Sequence, residues 1–298
     1  MTTLTTSTTA TTDTTATTTA TSGPVRSAER TASAQEIAAY RTAVRVALGA
    51  PASGDASPVH TFVLGHTVAD RTVRALTAGE EASVVHLGQD IRLERPVRAG
   101  ERVTVALDVL GARREPRGTR VAVRTRLTGA DGDTFAELVT SALLVGAKGI
   151  EPFGAIPAGS PPAPAGPVGE ADTVTHELTP DSIRGYAHAS GDLNPIHLDA
   201  DAACAAGFET VIAHGMSVIA LVCEDIADRY ADGDIARVRA VGGRFSAPVP
   251  PGVALDVTLQ PDAELRTVRF TCRTPAGPAV KSGWVELAPP VPDGGRDD

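Results

Sequence analysis

Between Ser190 and His197 the chain reads SGDLNPIH, which sets a carboxylate, Asp192, and an imidazole, His197, five residues apart with the carboxamide of Asn194 between them. Gly191 and Pro195 confine the stretch to a tight loop, so the polar groups can face one small-molecule site. Adding water across a carbon–carbon double bond requires a base that takes a proton from water and an acid that returns one to the neighbouring carbon. Asp192 and His197 are suitable types for those roles, and the uncharged amide of Asn194 can hold the pair or the water. Beside a thioester, the same reaction builds negative charge on the carbonyl oxygen, which backbone N–H groups at a helix N-terminus stabilise. Gly215 follows His214 and opens the apolar stretch GMSVIALVCEDIADRY, so its peptide N–H is the candidate donor, and the missing side chain lets a ligand approach.

Each of these residues also has a structural reading. Asp192 could cap turn amides beside a surface histidine. His214 either lines the site or packs at the helix start. Ser190 either contacts substrate or terminates the preceding helix, since no GxSxG elbow surrounds it. His188 reads as a polar contact on that helix. Asp192, His197 and His214 are all metal-ligand types, but nothing in their spacing favours a metal site, and no cofactor is expected. A near copy, SGDASPVH, runs from Ser53 to His60 with Asp55 and His60 at the same spacing and Ser57 where Asn194 would stand. The first copy is fifteen residues shorter between this loop and the strand that follows, and it reads as a relic or a coincidence rather than a second working site.

The elements that must position these groups can be read on both sides of them. Thr179 followed by Pro180 predicts an N-cap and first helical residue, opening a short helix that carries Ile183 and Tyr186 inward and ends at Ser190–Gly191. Asp199 and Asp201 belong to the start of the next helix. Gly215 to Tyr230 is a helix apolar on nearly every side in its first half, hence buried, with Gly233 as its stop. Its counterpart earlier in the chain is Leu64 to Leu76. Each buried helix precedes a Pro/Gly turn and an alternating strand: Pro96 and Gly100 before Val103, Val105, Leu107 and Val109, then Pro248 and Gly252 before Val253, Leu255, Val257 and Leu259. Pro96 to Pro248 and Gly100 to Gly252 share one shift of 152 residues, which supports an internal duplication. Further strands follow at Val121 to Leu127 and Phe135 to Val145, and again at Val268 to Cys272 and Val280 to Leu287.

The chain thus divides into a Thr/Ala-rich tail (1–30) expected to be disordered, an N-terminal unit (31–146), a Pro/Gly/Ala-rich linker (147–170), a C-terminal unit (171–290) and a flexible end (291–298). The tail lacks the basic start and apolar stretch of a secretory signal. Over 298 residues, 42% hydrophobic and 21% charged residues describe a globular protein, and the formal charge of −9 without a basic cluster argues against nucleic acid. Cys204, Cys223 and Cys272 show no zinc or CxxC pattern and read as reduced thiols in the cytoplasm. No apolar run is long enough to span a membrane.

SGDLNPIHLDADAACAAGFETVIAHGM resembles the signature of the MaoC-like dehydratases, the (R)-specific enoyl-CoA hydratase family. RFSAPVPPG resembles its strand motif, and LERPVRAGE the equivalent in the first unit of double hot-dog members. The resemblance extends over roughly residues 35–290 and is much weaker in the first half. It implies an α+β double hot-dog fold, two antiparallel sheets each wrapped around a buried helix as an intramolecular pseudo-dimer. It implies syn addition of water to a trans-2-enoyl thioester, giving the (R)-3-hydroxyacyl thioester, or the reverse. The family's catalytic Asp and His fall on Asp192 and His197, its supporting Asn on Asn194, and its carbonyl-binding glycine amide on Gly215. No metal or redox cofactor is implied. The partner is an acyl thioester of coenzyme A or an acyl carrier protein, the assembly a homodimer of such double units, and the N-terminal unit makes room for the acyl chain. The competing readings are a hot-dog thioesterase and a non-catalytic acyl-binding or heterodimer-partner subunit. A thioesterase would call for an acid on the buried helix facing the carbonyl, and Glu224 and Asp225 lie too far from the helix start.

Overall fold

The structure, a computed structural model, describes residues 26–50, 54–77, 82–159 and 161–290. Residues 1–25 of the expected tail, Ser53 of the near copy and the C-terminal 291–298 lie outside them.

The first unit contributes strands β1 (Arg26–Ala32), β2 (Ser83–Leu93), β3 (Glu101–Glu115), β4 (Gly118–Thr128) and β5 (Thr134–Val145), with helices α1 (Ala34–Arg45) and α2 (His60–Ala75). A two-residue strand, β6 (Phe153–Gly154), follows. The second unit repeats the series with β7 (Asp172–Glu177), helices α3 (Pro180–Ser190), α4 (Ala200–Ala205) and α5 (Gly215–Tyr230), then β8 (Val238–Phe245), β9 (Ala254–Pro261), β10 (Thr267–Thr274) and β11 (Gly277–Leu287). Among the described residues all strands join one antiparallel sheet in the order β1-β3-β4-β5-β2-β8-β11-β10-β9-β7, with β6 alongside β3. Read inward from either edge, the two units have the same strand order, which is the duplication in three dimensions. This is the double hot-dog fold.

The units meet through β2 and β8. Gly88 pairs with Arg244, Asp90 with Gly242 and Arg92 with Ala240. The sequence shift of 152 carries 88 to 240, 90 to 242 and 92 to 244, so the 88/244 and 92/240 pairings exchange, the 90/242 pairing maps onto itself, and the local two-fold passes between Asp90 and Gly242. Inside the second unit, α5 is buried from Met216 to Ala227, as its apolar sequence requires. The alternating strands face the same core with Val103, Val105 and Leu107, and with Leu255, Val257 and Leu259. A buried ion cluster also ties the units together. Arg41 Nη2 and Arg45 Nη1 of α1 lie 2.7 and 2.9 Å from Glu224 Oε2 of α5, and Arg45 Nη2 reaches Asp228 at 2.8 Å.

Several elements differ from the sequence reading. Residues 26–30, assigned to the tail, form most of β1, because β3 supplies a partner from Arg26↔Leu107 to Ala32↔Glu101. Helix α2 starts at His60 rather than Leu64. The linker is held in place: Gly154 pairs with Gly111, where a side chain would lie 2.6 Å from Ala155 N, and Val168 bridges to Asp262. Among the described residues no helix is long and apolar enough to cross a membrane.

Candidate active site

Helix α3 launches the polar loop. Thr179 Oγ1 caps it by accepting the Ser182 N–H, and it ends at Gly191, whose φ of 74° lets its N–H return to Ala187 O. From there the loop is built by nested turns. Ser190 Oγ accepts the Asp192 N–H at 3.2 Å, Asp192 Oδ1 accepts the Asn194 N–H at 3.3 Å, and Asn194 Oδ1 accepts the Ile196 N–H at 3.4 Å. Pro195 then opens a 3-10 turn that ends on His197. Asn194 caps this turn, and Ser190 sets the Asp192 backbone while closing α3. His188 is exposed on the outer side of α3.

The loop is docked onto the start of α5. Ile212 N–H donates to Ile196 O at 3.3 Å, and Ala213 N–H donates at 2.8 Å to Val249 O, which lies in the APVPPG stretch after β8. His214, the N-cap residue of α5, donates through Nε2 to the Asp192 carbonyl at 2.9 Å, and its ring stacks on His197 with centroids 3.6 Å apart. Tyr186 of α3 supports the His214 ring from another side, at 4.9 Å. One polar atom of each of Asp192, His197 and His214 lies within 4.8 Å of the others.

The tautomers follow from the acceptors. His197 Nδ1 faces the Ile212 carbonyl at 2.8 Å, so Nδ1 carries the hydrogen and the neutral ring offers a lone pair at Nε2. Burial pushes the His197 pKa down, and the Ile212 carbonyl and the Asp192 charge only partly oppose that. Burial also pushes His214 down, to about 4. For Asp192 burial works against ionisation, but the imidazoles of His66, His214 and His197 and the Asn194 N–H outweigh it and hold the carboxyl below its usual value. At neutral pH the site holds an ionised carboxylate beside a neutral imidazole. An imidazole binds a metal in its own ring plane, and stacked rings share no in-plane point at bonding distance; His197 and His214 are not arranged as two ligands of one ion.

Gly215 is the first residue of α5, so its N–H has no intrahelical acceptor, and the ladder begins with the Ser217 and Val218 N–H groups on His214 O. A side chain on Gly215 would meet Phe245 of β8, with Cβ 2.6 Å from its Cε1. Phe245 packs edge-on against His86 of β2 at 4.8 Å, and His86 stacks on Phe62 of α2 at 5.6 Å. The N-terminal unit thus forms the wall opposite the loop. It also brings His66 of α2 to 3.6 Å from Asp192 Oδ1. Nothing in the spacing of His66 links it to the SGDLNPIH segment, and only the packing of the two units reveals it.

The near copy lacks the arrangement of the second unit. Without the fifteen residues that separate loop from helix in the second unit, SGDASPVH runs straight into α2, and His60 becomes its first residue, buried with neither ring nitrogen hydrogen-bonded. Asp55 is exposed on the surface. The acids of α5 are likewise committed: Glu224 to Arg41 and Arg45, and Asp225 to Arg229 at 2.8 Å and His176 at 3.4 Å.

Comparison with known proteins agrees with this architecture. The family model described as MaoC like domain matches residues 164–271. Enoyl-CoA hydratase ChsH3 of Mycobacterium tuberculosis is 30% identical over 243 residues, covering 74% of this chain and 84% of that protein. Peroxisomal multifunctional enzyme type 2 of Mus musculus is 29% identical over 118 residues; the match covers 40% of this chain but only 16% of the length of that relative. Among solved structures, the MaoC-like dehydratase of Phytophthora capsici has a TM-score of 0.73 at 19% identity, covering 90% of this chain and 96% of the other. A Mycobacterium tuberculosis protein described as having a double hotdog fold has a TM-score of 0.59 at 15% identity, covering 89% and 97%. These two likenesses concern the fold alone.

Proposed function

The chain belongs to the MaoC-like domain family, and on that premise we propose that it is a hydro-lyase that reversibly adds water to trans-2-enoyl thioesters to give (R)-3-hydroxyacyl thioesters. One observation carries the proposal: polar atoms of Asp192 and His197 lie within 4.8 Å of each other, with His197 Nδ1 turned to the Ile212 carbonyl, and His214, stacked on His197, leads directly into Gly215 at the start of α5. A water held between the two side chains gives a proton to His197 Nε2 as its oxygen bonds to C3. Electrons of the double bond move to the thioester oxygen, where the Gly215 N–H and the α5 dipole stabilise the charge. The enolate then collapses, C2 takes the proton held by the pair, and both atoms of the addition come from one water on one face. Dehydration is the same path reversed. His214 acts through the Asp192 carbonyl and its stack on His197, and Asn194 by holding the turn.

The substrate is a thioester of coenzyme A or of an acyl carrier protein. The N-terminal unit (31–146) accommodates the acyl chain, the C-terminal unit (171–290) supplies the acid–base pair, and the reaction takes place in the cytoplasm. Hydrolysis is disfavoured, since Glu224 and Asp225 are held in ion pairs.

The test is incubation with crotonyl-CoA and longer enoyl-CoAs, following loss of the conjugated double bond and release of free thiol. Asp192→Asn and His197→Ala should each lower the hydration rate by about 10²–10⁴-fold, the usual contribution of a positioned acid–base group. Asp55→Asn is the matched control and should leave the rate unchanged. Wild-type hydration by both site variants would overturn the assignment, and thiol release without hydration would indicate a thioesterase.

A further inference from the structure

Asp192 is held by its own loop through one oxygen. Oδ1 accepts the Asn194 N–H at 3.3 Å, a turn contact that leaves the carboxylate free to swing about its last torsion. A second element reaches the same oxygen: His66 Nε2, from α2 of the N-terminal unit, is 3.6 Å away. The two side chains have similar small exposures, 23% and 22%, so they meet at the mouth of the site rather than in bulk solvent. Phe62, one helical turn before His66, packs on its ring at 5.6 Å, and is itself stacked on His86, which bears on Phe245 over Gly215. The row of rings that shapes the carbonyl end of the site therefore also sets the position of His66.

We propose that His66 is a positioning residue of the reaction, its Nε2–H donating to Asp192 Oδ1 so that Oδ2 is presented to the reacting water, and that the site is accordingly built by both units. The proposal rests on the reading of Asp192 as half of the acid–base pair. At 3.6 Å the contact is longer than a closed hydrogen bond, as is common in sites awaiting substrate, and closure requires only a small side-chain adjustment. A donor on Oδ1 favours the ionised carboxylate, so His66 affects both its direction and its charge. The other titratable groups facing Asp192 are His197 from the 3-10 turn, His214 before α5, Tyr186 from α3 and His86 from β2.

The experiment measures kcat, KM and the pH dependence of kcat/KM for enoyl-CoA hydration by His66→Leu, His66→Ala and His66→Gln, with Asp192→Asn alongside. Leu and Ala remove the donor and should lower kcat on the order of 10- to 100-fold, less than loss of an acid–base group itself, with KM within about threefold. Their acid limb should move to higher pH, and Gln, which retains an N–H donor, should restore both. If Leu at this position prevents folding, Ala and Gln decide the question. Wild-type kcat and an unmoved acid limb in the Ala variant, with Asp192→Asn inactive, would overturn the role of His66 and leave the functional reading intact. An active Asp192→Asn would remove both. A loss of rate in the Ala variant that Gln does not restore, with the acid limb unmoved, would show a purely structural role and also overturn the proposal.

Discussion

Replacing Gly215 by Ala tests the oxyanion role proposed for the α5 N-terminus separately from its structural one. The new Cβ would stand 2.6, 2.8 and 2.9 Å from Cε1, Cδ1 and Cζ of Phe245, whereas ordinary contact begins at 3.4 Å, so the ring must retreat by up to 0.8 Å (3.4 − 2.6). Its path is toward His86, whose ring centroid is 4.8 Å from that of Phe245. The backbone needs no such adjustment: Gly215 is not among the glycines with positive φ, and Ala is the better helix former by about 1 kcal/mol. Strain and propensity therefore oppose each other, and the net change in stability should stay within about 1 kcal/mol, a few degrees in Tm. Activity should fall much further. A displacement near 1 Å at a reacting group, or loss of one oxyanion donor, costs on the order of 10²-fold, or about 2.7 kcal/mol of transition-state stabilisation. The assay is enoyl-CoA hydration on protein whose thermal unfolding is recorded in parallel, with Phe245→Ala and the double variant completing a cycle. A kcat/KM within threefold of wild type at unchanged Tm would refute the placement of the thioester carbonyl at the Gly215 N–H. Loss of activity together with collapse of Tm would refute the separation of roles.

Two other outcomes follow from the same geometry. Glu224→Gln removes the buried carboxylate shared by Arg41 and Arg45, leaving Arg45 only the exposed Asp228 as its acidic partner, and should cost about 3–5 kcal/mol in denaturant unfolding; a change below about 1 kcal/mol would mean the ion cluster does not hold the units together. His60 and His214 are buried with pKa values lowered from 6.5 to about 4, so the folded protein keeps them neutral where the unfolded chain protonates; stability is intact above 6.5 and falls toward 4. At pH 5.5 the two groups together should remove about 3 kcal/mol, measured as a pH series of unfolding midpoints, and a midpoint constant from pH 7 to 5 would contradict their burial as neutral rings.

Much of the second unit could be read from its residues. Thr179-Pro180, Gly191 and the apolar run from Gly215 carry local instructions that do not depend on distant partners, and α3 and α5 begin where those signals stand. The alternating strands and the shift of 152 gave the repeat. β1 was not legible, because RSAERTA is mostly polar and is a strand only by virtue of β3 beside it. α1 was missed although Ser33 and Glu36 form a capping box, a local signal that could have found it. β2 and β8 were obscured where the units join, since Gly88, Gly242 and Gly243 are chosen there for close approach rather than strand propensity. His66 and the burial of His60 depend on how the units pack, which no window of sequence contains.

The β2–β8 junction, with its two-fold at Asp90 and Gly242, has a consequence for how such a site can change over time. In a dimer of identical chains every substitution is made twice, and a histidine gained on one helix must be tolerated at the same place in the other. Here the matching turns of α5, Val218 to Cys223, are apolar and buried, and a charged or polar ring would have no room among them. Covalent fusion lifts that obligation. One copy could give up its polar loop and lend imidazoles across the seam, while the other kept a closed core; inheritance in one chain lets two similar halves stop being alike.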